Sequence, residues 1–256
     1  MGMLLGYYLT GIISYIIGVY FICLRFKNFS LIDIAWGLGF VLIVLLSLNL
    51  NPNMSAPQYL LGICVFAWGV RLSAYLFMRN FGKEEDFRYK EMRERWGSSA
   101  SFKAFYRVFL LQGSLIFIIG LPIILALNGE KSSLGFFQVI GFLIWAIGFV
   151  WESWADQVKS SFKSNPENLN RPCNIGPWRY SQYANYFGEV LLWWGLFLIS
   201  LPHEYFYLSI ISPALITFLI IKVSGIPYLE EKNKDRESYQ EYRRVTSKFI
   251  PRAPKP

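Results

Sequence analysis

Ionisable side chains occur within apolar stretches of this sequence, at a spacing that could support acid–base chemistry. Arg71, Tyr75 and Arg79 follow one another at intervals of four residues, so on a helix they share one face. The two guanidinium groups would favour the phenolate form of Tyr75 and make its hydroxyl a better proton donor. Asp33 is the expected partner of Arg71, because an unpaired charge in a membrane helix is costly. The alternatives are an interfacial tyrosine at position 75 and a helix-terminal charge at position 33.

Further polar residues recur at helical spacing on two later apolar stretches. On the first, a single stripe continues beyond the apolar part and comprises Glu152, Asp156, Lys159 and Lys163. On the second, Asn185 and Glu189 share a face with Trp193, and the segment 171–180 before it is rich in turn residues and carries two arginines. Polar faces of membrane helices usually line a cavity or contact a partner. We therefore expect a cavity that is basic at its mouth, although a row of surface ion pairs is an alternative for the stripe.

Membrane-spanning helices must position these residues. The chain has 256 residues, of which 54% are hydrophobic and 16% charged, and its mean hydropathy is +0.34. Ordinary soluble domains carry about 25% charged residues, and a membrane span needs about 20 apolar ones. Seven stretches qualify, at 4–24, 31–50, 59–78, 109–127, 134–154, 186–201 and 205–221, and only residues 202–204 separate the last two, as in a tight hairpin. The sequence predicts an all-α, polytopic membrane protein with seven transmembrane helices in a single domain, residues 1–256.

The lysine and arginine residues predict the orientation of these helices. Of the 25 basic residues, 23 follow the first, third, fifth or seventh apolar stretch. The other two are Arg71 and Lys131. By the positive-inside rule the N-terminus is then outside and the C-terminus cytoplasmic. Because topology accounts for most of the net charge of +8, no nucleic-acid partner is expected. The three cysteines and the single histidine lack ligand spacing, so no metal site is expected. We expect a multi-pass integral membrane protein, in the inner membrane of a bacterium or the endoplasmic reticulum of a eukaryote.

Several motifs together resemble the C-terminal domain of the steroid 5-alpha-reductase family, and more closely its bacterial branch. They are Ala155-Asp156-Gln157, Phe162-Lys163, residues 176–181, residues 185–189 and Trp193-Trp194-Gly195, with further matches in 33–39, 79–97 and 230–252. That family lies within a wider membrane superfamily that includes isoprenylcysteine and phospholipid methyltransferases. The resemblance implies a seven-helix enzyme that uses NADPH to reduce a carbon–carbon double bond conjugated to a ketone in a steroid-like or other lipid. It also implies that the cofactor lies in the cytoplasmic half, about residues 134–256.

The resemblance also implies roles for individual residues. The implied cofactor-binding residues are Asp156, Lys163, Arg171, Asn185 and Glu189, to which we add Tyr180 of the same motif and the nearby charge of Arg179. The second predicted helix lacks the Gln-Glu pair of the steroid reductases, and Asp33 is the nearest acid there. The expected catalytic acid is therefore Tyr75, or a protonated Asp33 assisted by Arg71. We expect the protein to act as a monomer on a lipid dissolved in the bilayer.

Two other functions remain open from the sequence. One is an S-adenosylmethionine-dependent lipid or prenyl-cysteine methyltransferase, although the Arg-His-Pro of those enzymes is replaced here by Gln182-Tyr183-Ala184. S-adenosylmethionine has no phosphate and carries a positive sulfonium, whereas NADPH carries phosphates that need arginine or lysine. The charges of Lys163, Arg171 and Arg179 therefore favour NADPH. The other is a lipid or sterol binder without enzymatic activity.

Overall fold

The described part of the chain is all-α, which confirms the predicted fold class. A computed structural model describes residues 1–80, 82–201 and 205–255, so the tight hairpin expected at 202–204 lies outside the described residues. The helices are α1 (Gly2–Phe26), α2 (Leu31–Leu50), α3 (Ala56–Asn80), α4 (Phe87–Trp96), α5 (Ala100–Ala104), α6 (Leu110–Asn128), α7 (Phe136–Ser164), α8 (Ala184–Ile199), α9 (Ile211–Phe218), α10 (Ile226–Lys232) and α11 (Glu237–Val245).

Within the described residues, six helical stretches are long and apolar enough to cross a bilayer. They are Gly2–Phe26, Leu31–Leu50, Ala56–Asn80, Phe87–Asn128, Phe136–Ser164 and Phe206–Lys232, and α8 is a shorter apolar helix. The single long helix expected to carry the polar stripe is confirmed, because α7 runs unbroken for 29 residues. Its length of about 44 Å exceeds the roughly 30 Å of hydrocarbon in a bilayer. These helices identify the protein as an integral membrane protein.

The described residues form two compact units, and α1 to α6 belong to the first. This unit comprises Met1–Leu134 together with the short segment 205–209. Its helices α2 and α3 approach closely at two glycines, since a Cβ atom on Gly37 would lie 2.4 Å from the carbonyl oxygen of Gly69. The polar groups of Tyr8 and Ser47 are joined by a 2.7 Å hydrogen bond inside the same unit.

The second unit is built on the pair α7–α8 and contains Gly135–Leu201 and Ile210–Pro256. The two helices run in opposite directions and meet at glycines on both sides, namely Gly141, Gly148, Gly188 and Gly195. A Cβ on Gly148 would lie 2.6 Å from the backbone nitrogen of Leu192, and one on Gly188 would lie 2.7 Å from that of Glu152. The backbones therefore pack without side chains between them, which fixes α7 and the turn before α8 relative to each other.

The C-terminal tail is bonded to the turn that precedes α8. The backbone nitrogen of Gln182 donates to the Ser247 carbonyl at 2.9 Å, and that of Arg252 donates to the Tyr180 carbonyl at 3.0 Å. The Ser181 hydroxyl donates to the carbonyl of Phe249 at 2.7 Å. These bonds hold α11, which directly precedes the tail, against the same turn.

Candidate functional site

The second unit contains a cavity of about 290 Å³ that is lined by positive charge. Five of its fourteen lining residues are lysine or arginine, and none is aspartate or glutamate. The five are Lys159, Lys163, Lys232, Arg236 and Arg243. We call this site the basic cavity. Its other polar or aromatic lining includes Trp178, Tyr183, Tyr239 and Tyr242, so its surface suits an anionic ligand that also carries rings.

Two separate parts of the sequence supply these cations. Lys159 and Lys163 stand one turn apart near the end of α7, where the polar stripe continues past the apolar residues. Lys232 ends α10, Arg236 precedes α11, and Arg243 lies on α11. The α10–α11 segment therefore forms one wall of the cavity and α7 contributes to another.

Lys163 closes the turn that follows α7. Its Nζ donates to the carbonyl oxygens of Asn168, Leu169 and Arg171 at 2.7, 2.7 and 2.6 Å. An ammonium group has three donors, so all of them are used by the chain itself. Lys163 lines the cavity, but its bonds assign it to building the wall.

Trp178 lines the basic cavity and is itself held by a hydrogen bond and by buried packing. Its indole nitrogen donates to the Ala155 carbonyl at 2.8 Å, and the ring packs in a buried cluster with Cys173 and Ala184. The Nζ of Lys159 lies 4.2 Å from the centre of the ring. A cation over an aromatic face is attracted to it, so Trp178 holds the Lys159 side chain in place.

Tyr183 and Arg243 meet on the other side of the cavity. The guanidinium of Arg243 donates to the Glu230 carbonyl at 3.2 Å. Burial raises the pKa of Tyr183 to about 12, so its hydroxyl stays protonated at neutral pH. The carboxylate of Glu230 is bound by Lys248 at 2.7 Å. Tyr183 therefore offers the cavity a neutral hydroxyl.

A second cavity of about 610 Å³ lies on the other side of α11. We call it the arginine cavity, because Arg171 and Arg179 line it. Residues Arg236, Tyr239 and Arg243 face the basic cavity, whereas Ser238, Glu241 and Val245 face the arginine cavity. Tyr242 lines both, and its hydroxyl donates to the Trp178 carbonyl. The short helix α11 is thus the partition between two cavities of the same unit.

The cofactor-binding residues expected from the sequence are only partly brought together. Lys163 lines the basic cavity, and Arg171 and Arg179 line the arginine cavity. The other four, Asp156, Tyr180, Asn185 and Glu189, line neither of these two cavities. Asp156 is buried on α7, Asn185 and Glu189 are half-buried at the start of α8, and Tyr180 is exposed.

Sequence reasoning missed several of the cavity's residues. Lys159 was part of the polar stripe but was not assigned a ligand role. Lys232, Arg236 and Arg243 follow the last apolar stretch, where a basic residue is fully explained by membrane topology. Lys232, Arg236 and Arg243 are spaced by four and seven residues, which predicts that they share one face of a helix. This spacing does not reveal what that face contacts.

The expected pairing of Asp33 with Arg71 is wrong. Both carboxylate oxygens of Asp33 are bound by α4, with Arg88 donating at 2.9 Å and the Tyr89 hydroxyl at 2.7 Å. Arg88, on the short polar helix α4, is thus the cation that balances the carboxylate of Asp33. Tyr75 does lie beside Arg79, whose guanidinium is 5.4 Å from the ring centre.

A second ion pair holds the start of α4 to the turn between α1 and α2. Arg93 binds Glu85 through two hydrogen bonds of 3.0 and 2.9 Å, and its guanidinium lies 4.0 Å from the ring centre of Phe29. Glu85 also accepts the backbone N–H of Phe29 at 2.6 Å. Together with the contacts of Asp33, these bonds dock α4 on the first unit.

Replacing Asp33 with asparagine is therefore expected to loosen α4. The change removes the charge that Arg88 neutralises, and a hydrogen bond to a charged group contributes about 1.5–3 kcal/mol. Trypsin should cleave faster at Arg88 and Lys90 in the detergent-solubilised variant. The matched control is Glu91→Gln, which breaks an exposed pair with Arg95 on the same helix, where little effect is expected. Equal cleavage of Asp33→Asn and wild type would contradict a docking role.

Comparison with known proteins identifies the family of the chain. A family model described as a protein of unknown function (DUF1295) matches residues 19–246. No curated protein and no solved structure matches the chain. Since the family model covers well over half of the sequence, the protein belongs to the DUF1295 family.

Proposed function

We propose that the protein is an NADPH-dependent membrane reductase that acts on a carbon–carbon double bond conjugated to a ketone in a steroid-like or other lipid. The observation that carries this proposal is the basic cavity, whose described lining residues include five cations and no carboxylate. Its supporting argument is the sequence resemblance to the steroid 5-alpha-reductases. The proposal assigns cofactor binding to the second unit.

The charge of the cavity favours NADPH over the alternative cofactor. A phosphate monoester carries about −1.5 to −2 at neutral pH, and a diphosphate linkage adds further negative charge. The five cations of the cavity can balance the negative charge of these phosphates. They would instead repel the positive sulfonium of S-adenosylmethionine. Arginine and lysine also donate the charge-assisted hydrogen bonds that phosphate oxygens require. An S-adenosylmethionine-dependent methyltransferase remains the alternative that the experiment below can support.

The residues present fit the proposed cofactor. Lys159, Lys232 and Arg236 would bind phosphate oxygens, and the rings of Trp178 and Tyr239 offer apolar faces to the heterocycles. Ligand sites occupy about 300–1,000 Å³, and the basic and arginine cavities, at about 290 and 610 Å³, share Tyr242 as a wall. When bound, NADPH supplies a hydride, while the protein orients the reactants and provides a proton.

The proposed topology places this chemistry on the cytoplasmic side. We propose seven spans, counting α8, with the N-terminus outside and the C-terminus in the cytoplasm, as the basic residues indicate. At 16 residues α8 is about 24 Å long, so it spans less than a full hydrocarbon thickness by itself. The lipid substrate would come from the bilayer. Tyr75 remains the proposed proton donor of the first unit, with Arg71 beside it on α3, whereas the contacts of Asp33 support a docking role.

Protection of Cys173 tests the proposal without a known substrate. Cys173 lines the basic cavity, and the other two thiols are fully buried in α1 and α3, so Cys23→Ala/Cys64→Ala leaves one reporter. Burial raises the pKa of the Cys173 thiol, so labelling with N-ethylmaleimide is done at alkaline pH. NADPH at about ten times its Kd should slow labelling about tenfold, since only unoccupied protein reacts.

The same measurement separates the alternatives. S-adenosylhomocysteine should leave the labelling rate unchanged, and protection by it but not by NADPH would transfer the assignment to a methyltransferase. Labelling that neither compound slows would contradict the reductase and favour a lipid binder. Denatured protein provides the control, because there neither NADPH nor S-adenosylhomocysteine should alter the reactivity of the Cys173 thiol.

A further inference from the structure

The cations of the basic cavity are not equivalent. Lys163 uses its three donors on the carbonyls of its own turn, and Arg243 is bonded to the Glu230 carbonyl. These two side chains hold the walls together. A ligand that bound them would have to replace bonds that the fold already makes.

Arg236 differs from both of them. Its guanidinium lines the cavity and makes no hydrogen bond or ion pair with any residue in the described part of the chain. Its guanidinium carbon lies 5.9 Å from the ring centre of Tyr239, at the outer limit of a cation–π interaction. The described residues thus leave the five N–H groups of this planar fork for a ligand.

We propose that Arg236 is the residue by which the basic cavity recognises a phosphate monoester on its ligand, which in NADPH is the 2′-phosphate. This inference rests on the proposed function and names the group that decides between NADPH and NADH.

The chemistry of the two kinds of phosphate supports this assignment. A terminal phosphate monoester presents three free oxygens and carries nearly two charges, so it accepts two parallel hydrogen bonds from an arginine fork. The linking phosphates of a dinucleotide offer fewer free oxygens and one charge each. Lysine binds either as a point charge, and the other cations with side chains directed at the cavity include Lys159 and Lys232. The planar, half-buried Arg236 is therefore the cation suited to reading the monoester.

Titrating NADPH and NADH against the detergent-solubilised full chain tests this inference. Arg236→Gln should weaken NADPH binding about 10- to 100-fold, the loss expected for charge-assisted hydrogen bonds, and should change NADH binding less than about twofold. Arg236→Lys keeps the charge without the fork, so its NADPH affinity should fall between the two. Arg244→Gln is the matched control, because Arg244 is exposed, follows Arg243 on the same helix and lines neither cavity.

The outcomes separate the inference from the proposed function. Wild-type protein that binds neither nucleotide would contradict the proposed function, and the inference with it. If wild-type protein binds NADPH but the Arg236→Gln variant loses affinity for both nucleotides equally, or for neither, the inference alone is contradicted. Circular dichroism of each variant should match wild type, and Arg236→Lys serves as the test if Arg236→Gln does not fold.

Discussion

Replacing Gly148 with leucine is expected to prevent the second unit from folding. A Cβ at this position would lie 2.6 Å from the backbone nitrogen of Leu192 and 2.7 Å from the carbonyl oxygen of Gly188. These are backbone atoms of α8, so they cannot rotate aside as a flexible side chain could. Overpacking a core typically costs about 1–3 kcal/mol, and here the whole helix must move, so we expect the upper end or more.

The same change would also damage the candidate site. Lys159 and Lys163 lie further along α7, and Tyr183 immediately precedes α8. Separating the two helices by the width of a side chain would therefore move opposite walls of the basic cavity apart. A partly folded variant is expected to lose nucleotide binding before it loses its helical content.

Size-exclusion chromatography and thermal unfolding in detergent measure this effect. The Gly148→Leu variant should aggregate or unfold at a much lower temperature than wild type. Gly18→Leu is the matched control, because a Cβ on Gly18 of α1 meets nothing within 4 Å. Gly188→Ala tests the facing helix with the smallest possible side chain, at 2.7 Å from the Glu152 nitrogen. Wild-type behaviour of Gly148→Leu would show that α7 and α8 are not packed this closely.

The long helices are the part of the fold that the sequence predicts well. Each apolar run is an almost local property, because a bilayer requires roughly 20 consecutive apolar residues whatever the rest of the chain does. The continuation of α7 to Ser164 follows from its polar stripe, which keeps the helical period past the last apolar residue. Helix α4 was not predicted, since its polar sequence gives no such signal and its stability comes from bonds to Asp33 and Phe29.

The candidate site depends on contacts between distant residues, which limits its prediction from sequence. Arg236 is far from Lys159 along the chain, and only the return of α10 and α11 to the end of α7 brings both to one cavity. Asp33 likewise meets a partner 55 residues away instead of Arg71. A charge pattern predicts which residues share a helix face, but it does not identify what that face will meet.

Lys163 is expected from the sequence to bind the cofactor, yet its three donors are bonded within the turn after α7. Replacing it with methionine is expected to weaken NADPH binding about tenfold or more, through the loss of the turn after α7. Its three carbonyl contacts close this turn, and hydrogen bonds to charged groups contribute about 1.5–3 kcal/mol when well formed. Leu169 and Cys173, which follow in the same segment, line the basic cavity and would shift with it.

Hydrogen exchange of the nucleotide-free protein decides between a building role and a binding role for Lys163. The amides of Asn168, Leu169 and Arg171 are bonded within the turn, so in Lys163→Met they should exchange at least about tenfold faster than in wild type. Lys234→Met is the matched control, because it removes the same charge from an exposed pair with Glu231 outside both cavities. If Lys163 instead bound the cofactor directly, NADPH affinity would fall while exchange in the nucleotide-free turn stayed unchanged. Faster exchange together with lost affinity would assign Lys163 to the wall, and would leave phosphate recognition to cations such as Arg236 whose donors the fold does not use.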